Sequence, residues 1–187
     1  YVGCDLCRTD RRKAKKFRRR FRLPYDKYLE LLQKVKANTI FKSHMGTSGK
    51  NQMKAKPIEL LVLGSLRYLG RGWTFDDLEE NTGIGEETFR LFFHKFIEFG
   101  STVLYDEFVI TPSKSNPHTS THQHEFNKAG CHGAIGSTDA VHVTLKKVQR
   151  TVRNAHLGWK LLHTARTYNV TVNRRRRILS LGGMTKH

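Results

Sequence analysis

Gly133-Ala134-Ile135-Gly136-Ser137-Thr138-Asp139-Ala140-Val141-His142-Val143 is the stretch that decides the fold of this chain. Ile135, Val141 and Val143 recur with the period of two that marks a strand with a buried face. An acidic side chain inside such a run is expensive to desolvate unless a cation or hydrogen-bond donors compensate it. Asp139 is also the last Asp or Glu of the chain: the 48 residues after it hold eleven Lys or Arg and no acid. A lone carboxylate facing that much positive charge points to an ion-binding site in a protein that handles phosphates.

Working outward from that strand, charge is unevenly spread. The net charge is +18 over 187 residues. Residues 1–56 carry 17 basic and 4 acidic side chains, residues 57–111 carry 4 and 10, and residues 112–187 carry 13 and 2. The two outer segments have the electrostatic footprint of nucleic-acid binding, in which released counterions drive affinity; the middle does not. A hydrophobic content of 37% allows a core and excludes full disorder. No apolar run reaches the ~18 residues of a membrane span, and no charged-then-apolar signal peptide opens the chain. Three cysteines form no disulfide framework and fit a reducing compartment.

The organisation expected is α+β. Residues 1–22 read as a basic arm, with Phe17 and Phe21 on one face if helical. Arg11, Arg12, Lys13, Lys15, Lys16, Arg18, Arg19 and Arg20 make it a DNA-backbone contact or a nuclear localisation signal. Residues 23–111 read as helical. A first helix runs to about Lys36 with Tyr28, Leu31, Leu32 and Val35 as its apolar stripe. After a loop over 43–56 come helices over Ile58–Leu69, Phe75–Asn81 and Glu86–Phe99. Short helix, Gly83-Ile84-Gly85 turn and longer helix follow the helix-turn-helix pattern. That pattern would bring Glu86, Glu87, Thr88 and Arg90 to a major groove, but acidic residues there repel phosphates, so a packing or partner-binding bundle is the stronger expectation. Residues 112–132 read as a polar linker, and residues 133–187 as three strands: the Asp139 strand, Leu161–Val172 and Arg177–Leu181.

Smaller motifs carry less. Cys4-Asp5-Leu6-Cys7 is half of a zinc knuckle with no second half at finger spacing. His118, His122 and His124 cluster in a polar stretch where histidines are usually solvated. Arg174, Arg175, Arg176 and Arg177 sit at a hairpin tip, where guanidinium groups grip DNA phosphates by bidentate hydrogen bonds; Trp159 and Tyr168 are near in sequence.

The Gly133–Val143 segment resembles the first catalytic strand of Harbinger-type DDE transposases, the DDE superfamily endonucleases. Phe17-Arg18-Arg19-Arg20-Phe21-Arg22-Leu23-Pro24-Tyr25 resembles that family's opening, and Arg153-Asn154-Ala155-His156-Leu157-Gly158 the stretch after its first strand. Thr164-Ala165-Arg166-Thr167-Tyr168-Asn169-Val170-Thr171-Val172 resembles its second strand. The resemblance implies an N-terminal helical bundle followed by the first β-meander of an RNase H-like catalytic domain. It implies metal-dependent DNA cleavage and joining with Mg²⁺ or Mn²⁺, Asp139 as the first catalytic and metal-holding carboxylate, a separate Myb-like DNA-binding partner, and the nucleus as location. His142 matches the family's Asp-x-x-His, yet strand period two puts it on the face opposite Asp139. The family's second and third carboxylates have no counterpart after Asp139, and Tyr1 stands where a start Met would. The expectation is therefore a truncated transposase or fragment, inactive alone, whose first strand has an open edge. The alternative is a non-catalytic, transposon-derived nucleic-acid-binding or accessory protein.

Overall fold

The computed structural model describes residues 9–46, 56–109, 111–113, 117–145 and 165–184. The chain divides into two compact units, Tyr1–Thr102 and Val103–His187. The division falls before the expected 112–132 linker, and the basic arm belongs to the first unit.

In the first unit, α1 (Arg11–Phe21) begins at Asp10, whose carboxylate accepts from the backbone N–H groups of Arg12 and Lys13 and satisfies two donors of the open first turn. The arm is thus a capped helix. Phe17 and Phe21, four residues apart, are both buried. Phe17 meets Tyr25 edge-on at 5.1 Å and Tyr28 at 5.5 Å, in a geometry that aromatic pairs prefer. Pro24 starts α2 (Tyr25–Ala37), which buries Tyr25, Tyr28, Leu32 and Val35. Of the expected stripe, only Leu31 stays partly exposed. A 3₁₀ turn over Thr39–His44 plants Phe41 in the core.

Next, α3 (Ile58–Arg71), α4 (Phe75–Thr82) and α5 (Glu86–Phe99) stand where the sequence places helices. Thr74 and Asp77 close a reciprocal capping box at the start of α4. Gly72 and Gly83 end α3 and α4 in the left-handed conformation that glycine takes without strain. Phe89, Phe92, Phe96 and Phe99 form the buried face of α5. The approach of α3 to α5 is close: a Cβ at Gly64 would run into the Phe89 ring.

His44 ends the 3₁₀ turn edge-on to Phe92, with ring centroids 5.3 Å apart, and its Nε2 is buried with no hydrogen-bond partner among the described residues. Burial first, and the Lys95 ammonium second, hold its pKa below the usual histidine value. The native state therefore favours the neutral ring. Stability is full above about pH 6.5 and falls as the unfolded chain binds a proton that the folded chain refuses, levelling off below the folded pKa. Thermal melts from neutral to mildly acid pH should show a drop that His44→Leu removes; equal slopes in the two proteins would contradict it.

A π-helical turn (Gly100–Leu104) and the short α6 (Tyr105–Phe108) follow. In the second unit the expected linker contains α7 (Pro117–Asn127). Its residues are polar nearly all round, so no apolar period announces it. Thr119 fixes its start by accepting from the Ser113 backbone N–H and donating to the Ser113 carbonyl. Three antiparallel strands in the order β1-β2-β3 complete the unit: β1 (Ser137–Thr144), β2 (Ala165–Val172) and β3 (Ile178–Met184).

Register fixes the two faces of this sheet. Asp139, Val141 and Val143 lie opposite Val170, Tyr168 and Arg166, and Leu181 lies opposite Val170. Thr138, Ala140 and His142 lie opposite Thr171, Asn169 and Thr167 on the other face. One face is thus mostly apolar and carries Asp139, whereas the other is polar and carries His142. The expectation that Ile135, Val141 and Val143 are buried fails: Val141 is 46% and Val143 43% exposed, and Ile135 precedes the strand. The cause is position. β1 lies at the edge of three strands, and only Leu179 is a buried apolar side chain among the described residues of this unit.

Candidate nucleic-acid interface

Burial of Phe17 and Phe21 fixes which side of α1 faces out. At about 100° per residue, Arg12, Lys15 and Arg19 fall opposite Phe17, and Lys16 falls on the flank beside them. Arg11, Arg12, Lys13, Lys15, Lys16, Arg18 and Arg19 are all exposed, and none has an acidic partner among the described residues; Arg20 is half-buried and engaged. Arg18, Arg19 and Arg20 also sit in the last turn, where the helix dipole favours cations. A helix that is apolar on one side and uniformly cationic on the other offers a polyanion a rigid row of charge.

Acid gathers on other helices of the same unit. Asp76, Glu79 and Glu80 are exposed on α4, and Glu86 and Glu87 open α5. Glu79 accepts from the Glu86 backbone N–H at 2.6 Å, capping α5 across the turn. Arg90, the one base among the four groove-reading candidates, is held by Glu87 through two hydrogen bonds of 2.8 and 2.6 Å. Its guanidinium keeps the Glu87 carboxyl below the usual range. Thr88 is half-buried. A short helix, a glycine turn and a longer helix follow in the expected order, but the first turn of α5 is acidic and its arginine is already paired.

At the β2–β3 tip, Arg176 closes a tight turn by donating its backbone N–H to the Asn173 carbonyl. The Asn173 side-chain oxygen accepts from the Arg177 backbone N–H at 2.8 Å. Arg176 takes φ 61°, a left-handed position usual for glycine in such hairpins. The four arginines divide by role. Arg174 donates to the Glu125 carbonyl at 3.1 Å and Arg175 pairs with the Glu125 carboxylate at 2.6 Å, so both staple the tip to α7. All four are exposed, but Arg176 and Arg177 have no side-chain partner among the described residues. Glu125 is a residue that sequence reasoning passed over. Its signal was being one of only two acids in a strongly basic third of the chain.

Asp139 is exposed, and its Oδ1 accepts from the Ala140 backbone N–H at 2.8 Å. Its cross-strand neighbour is Val170, with Val141 beside it. His142 bonds Thr167 at 2.8 Å on the opposite face. The register therefore separates Asp139 from His142. His122 and His124 lie on α7, and no group of three His, Cys, Asp or Glu side chains able to hold a metal occurs among the described residues. Cys4 and Cys7, the Arg153–Gly158 segment and Trp159 lie outside the described residues. No described helix is long and apolar enough to cross a membrane.

Comparison with family models, with curated proteins and with solved structures returns no match to this chain in any of the three.

Proposed function

We propose that this is a DNA-binding protein of the Harbinger-type DDE transposase kind. In this reading its sheet corresponds to the opening meander of an RNase H-like domain, and Asp139 stands where that family places its first catalytic carboxylate. The observation that carries the DNA reading is the exposed cationic row Arg12, Lys15, Lys16 and Arg19 of α1, without an acidic partner among the described residues and anchored by the buried Phe17 and Phe21. Backbone phosphates are its natural target, because a row of point charges reads no base edges. Arg176 and Arg177 add a second contact. A nuclear location follows from a duplex DNA target, and the acidic α4–α5 surface is where a basic, Myb-like partner would dock.

The divalent ion that the family uses needs several converging oxygens, since Mg²⁺ otherwise keeps its water shell. The described surroundings of Asp139 are apolar and do not fit such an ion. This isolation favours a second reading, a non-catalytic nucleic-acid-binding or accessory protein derived from a transposon. One incubation tests both. With labelled duplex, low salt and Mg²⁺ or Mn²⁺, these 187 residues should bind the DNA and leave it uncut. Failure to bind would sink the DNA reading. Metal-dependent nicking that Asp139→Ala abolishes would restore the enzyme.

A further inference from the structure

The ends of α1 and α3 meet at a place that neither the basic arm nor the hairpin accounts for. Arg22 follows α1 in the left-handed conformation, φ 59°, and its Nε donates to the Gly70 carbonyl at 3.3 Å. That carbonyl is one of those left open at the end of α3, so the arginine satisfies it. The approach is close: a Cβ at Gly70 would lie 2.8 Å from Cγ of Arg22 and would push that side chain aside. One turn back, the Arg67 guanidinium lies 3.4 Å over the Trp73 ring and 5.8 Å from the Phe21 ring. Arg71 is exposed beside it, and Trp73, in the α3–α4 joint, is half-exposed. One face of a half-exposed indole is thus covered by the Arg67 guanidinium, with the exposed Arg71 two residues before it in the chain and Arg22 held at the Gly70 carbonyl.

We infer that Trp73 is a stacking platform for an unpaired base of single-stranded DNA, with Arg22 and Arg71 taking the flanking phosphates. The chemistry is that of strand-binding grooves in general. A π-face accepts any base, and cations follow the backbone. Arg67 contributes by holding the indole in place through its cation–π contact. A duplex keeps its bases stacked on one another and offers Trp73 nothing, so the site distinguishes single strands from duplex where α1 does not. The inference rests on the nucleic-acid reading above and adds to it a preference for strand form.

Trp73 reports on itself. The chain has two tryptophans, so in the 187-residue Trp159→Phe chain the indole emission belongs to Trp73 alone. Oligo(dT) should quench it, and duplex DNA should not. Independently, in the otherwise native chain, Trp73→Ala should weaken oligo(dT) binding by roughly tenfold and duplex binding by less than about twofold, while Trp73→Phe keeps most of the affinity. Should Trp73→Ala lose helix content, the Phe variant and the quenching carry the comparison. Emission unchanged by oligo(dT), or equal losses for both DNA forms, overturns the stacking site and leaves the cationic row standing. A native chain that binds neither form overturns both.

Discussion

Raising salt from about 50 to 200 mM should weaken duplex binding on the order of a hundredfold. The estimate follows from the outer face of α1. Arg12, Lys15, Lys16 and Arg19 can neutralise roughly four phosphates, and each contributes about −0.9 to the slope of log affinity against log salt, so a slope near −3.6 acts over a fourfold change. The exposed Arg176 and Arg177 would steepen it. Because the four α1 side chains have no acidic partner among the described residues, binding sacrifices no internal ion pair. Replacing Lys15, Lys16 and Arg19 together with Gln leaves Phe17 and Phe21 untouched. That variant should keep its helix content while its slope falls by about 2.7. Fluorescence anisotropy across a salt series reads both. A slope near zero in the native chain, or a triple variant that titrates like it, would show that α1 is a solvated face and no more.

The second large effect is on stability. Phe92→Ala should destabilise the helical unit by about 3–5 kcal/mol. Phe92 is fully buried, with its ring 5.2 Å from Phe41, 6.2 Å from Phe96 and 5.3 Å from His44. It therefore joins the 3₁₀ turn to α5, and its removal leaves a cavity walled by other rings that cannot collapse without moving a helix. Domains of this size hold only about 5–15 kcal/mol in all, so the variant should be partly unfolded well below the native melting temperature. Urea unfolding followed by helical circular dichroism measures the loss. Phe92→Leu keeps more of the volume and should lose less. A Phe92→Ala loss under about 1 kcal/mol would mean that the rings around it are not close-packed.

Helices were legible where an apolar stripe and a cap coincide. Glu86–Phe99 matches residue for residue, because Gly85 and Gly100 bracket a run whose phenylalanines recur at helical spacing. α7 was not legible, since neither stripe nor cap pattern marks Pro117–Asn127 and its start depends on a Ser113–Thr119 contact that only the folded chain makes. The hairpin turn was legible from Asn173 and the arginine run. The split of that run into two arginines that hold Glu125 and two without a side-chain partner among the described residues was not, because it depends on Glu125, nearly fifty residues earlier. In the Asp139 strand, alternation gave the right faces for Asp139 and His142 and the wrong burial. Period two says which side chains share a face, and only the number of strands and what lies over them says whether that face is covered. The Arg22–Arg67–Trp73 grouping joins two parts of the chain, the end of α1 and the end of α3, through a meeting of helix ends that no local pattern encodes.

If the helical unit binds DNA as proposed, the separation of basic α1 from acidic α4 and the start of α5 would also set how it arrives. A body with its positive and negative charges on different helices has an electric dipole, and the field of a polyanion exerts a torque on it before any contact forms. The molecule would turn its cationic helix forward while still some Debye lengths away in dilute salt, and far less so at physiological ionic strength, where the field is screened within about 8 Å. The acids of α4 and α5 would then reduce the number of unproductive orientations, so a surface turned away from the DNA would raise the fraction of encounters that bind.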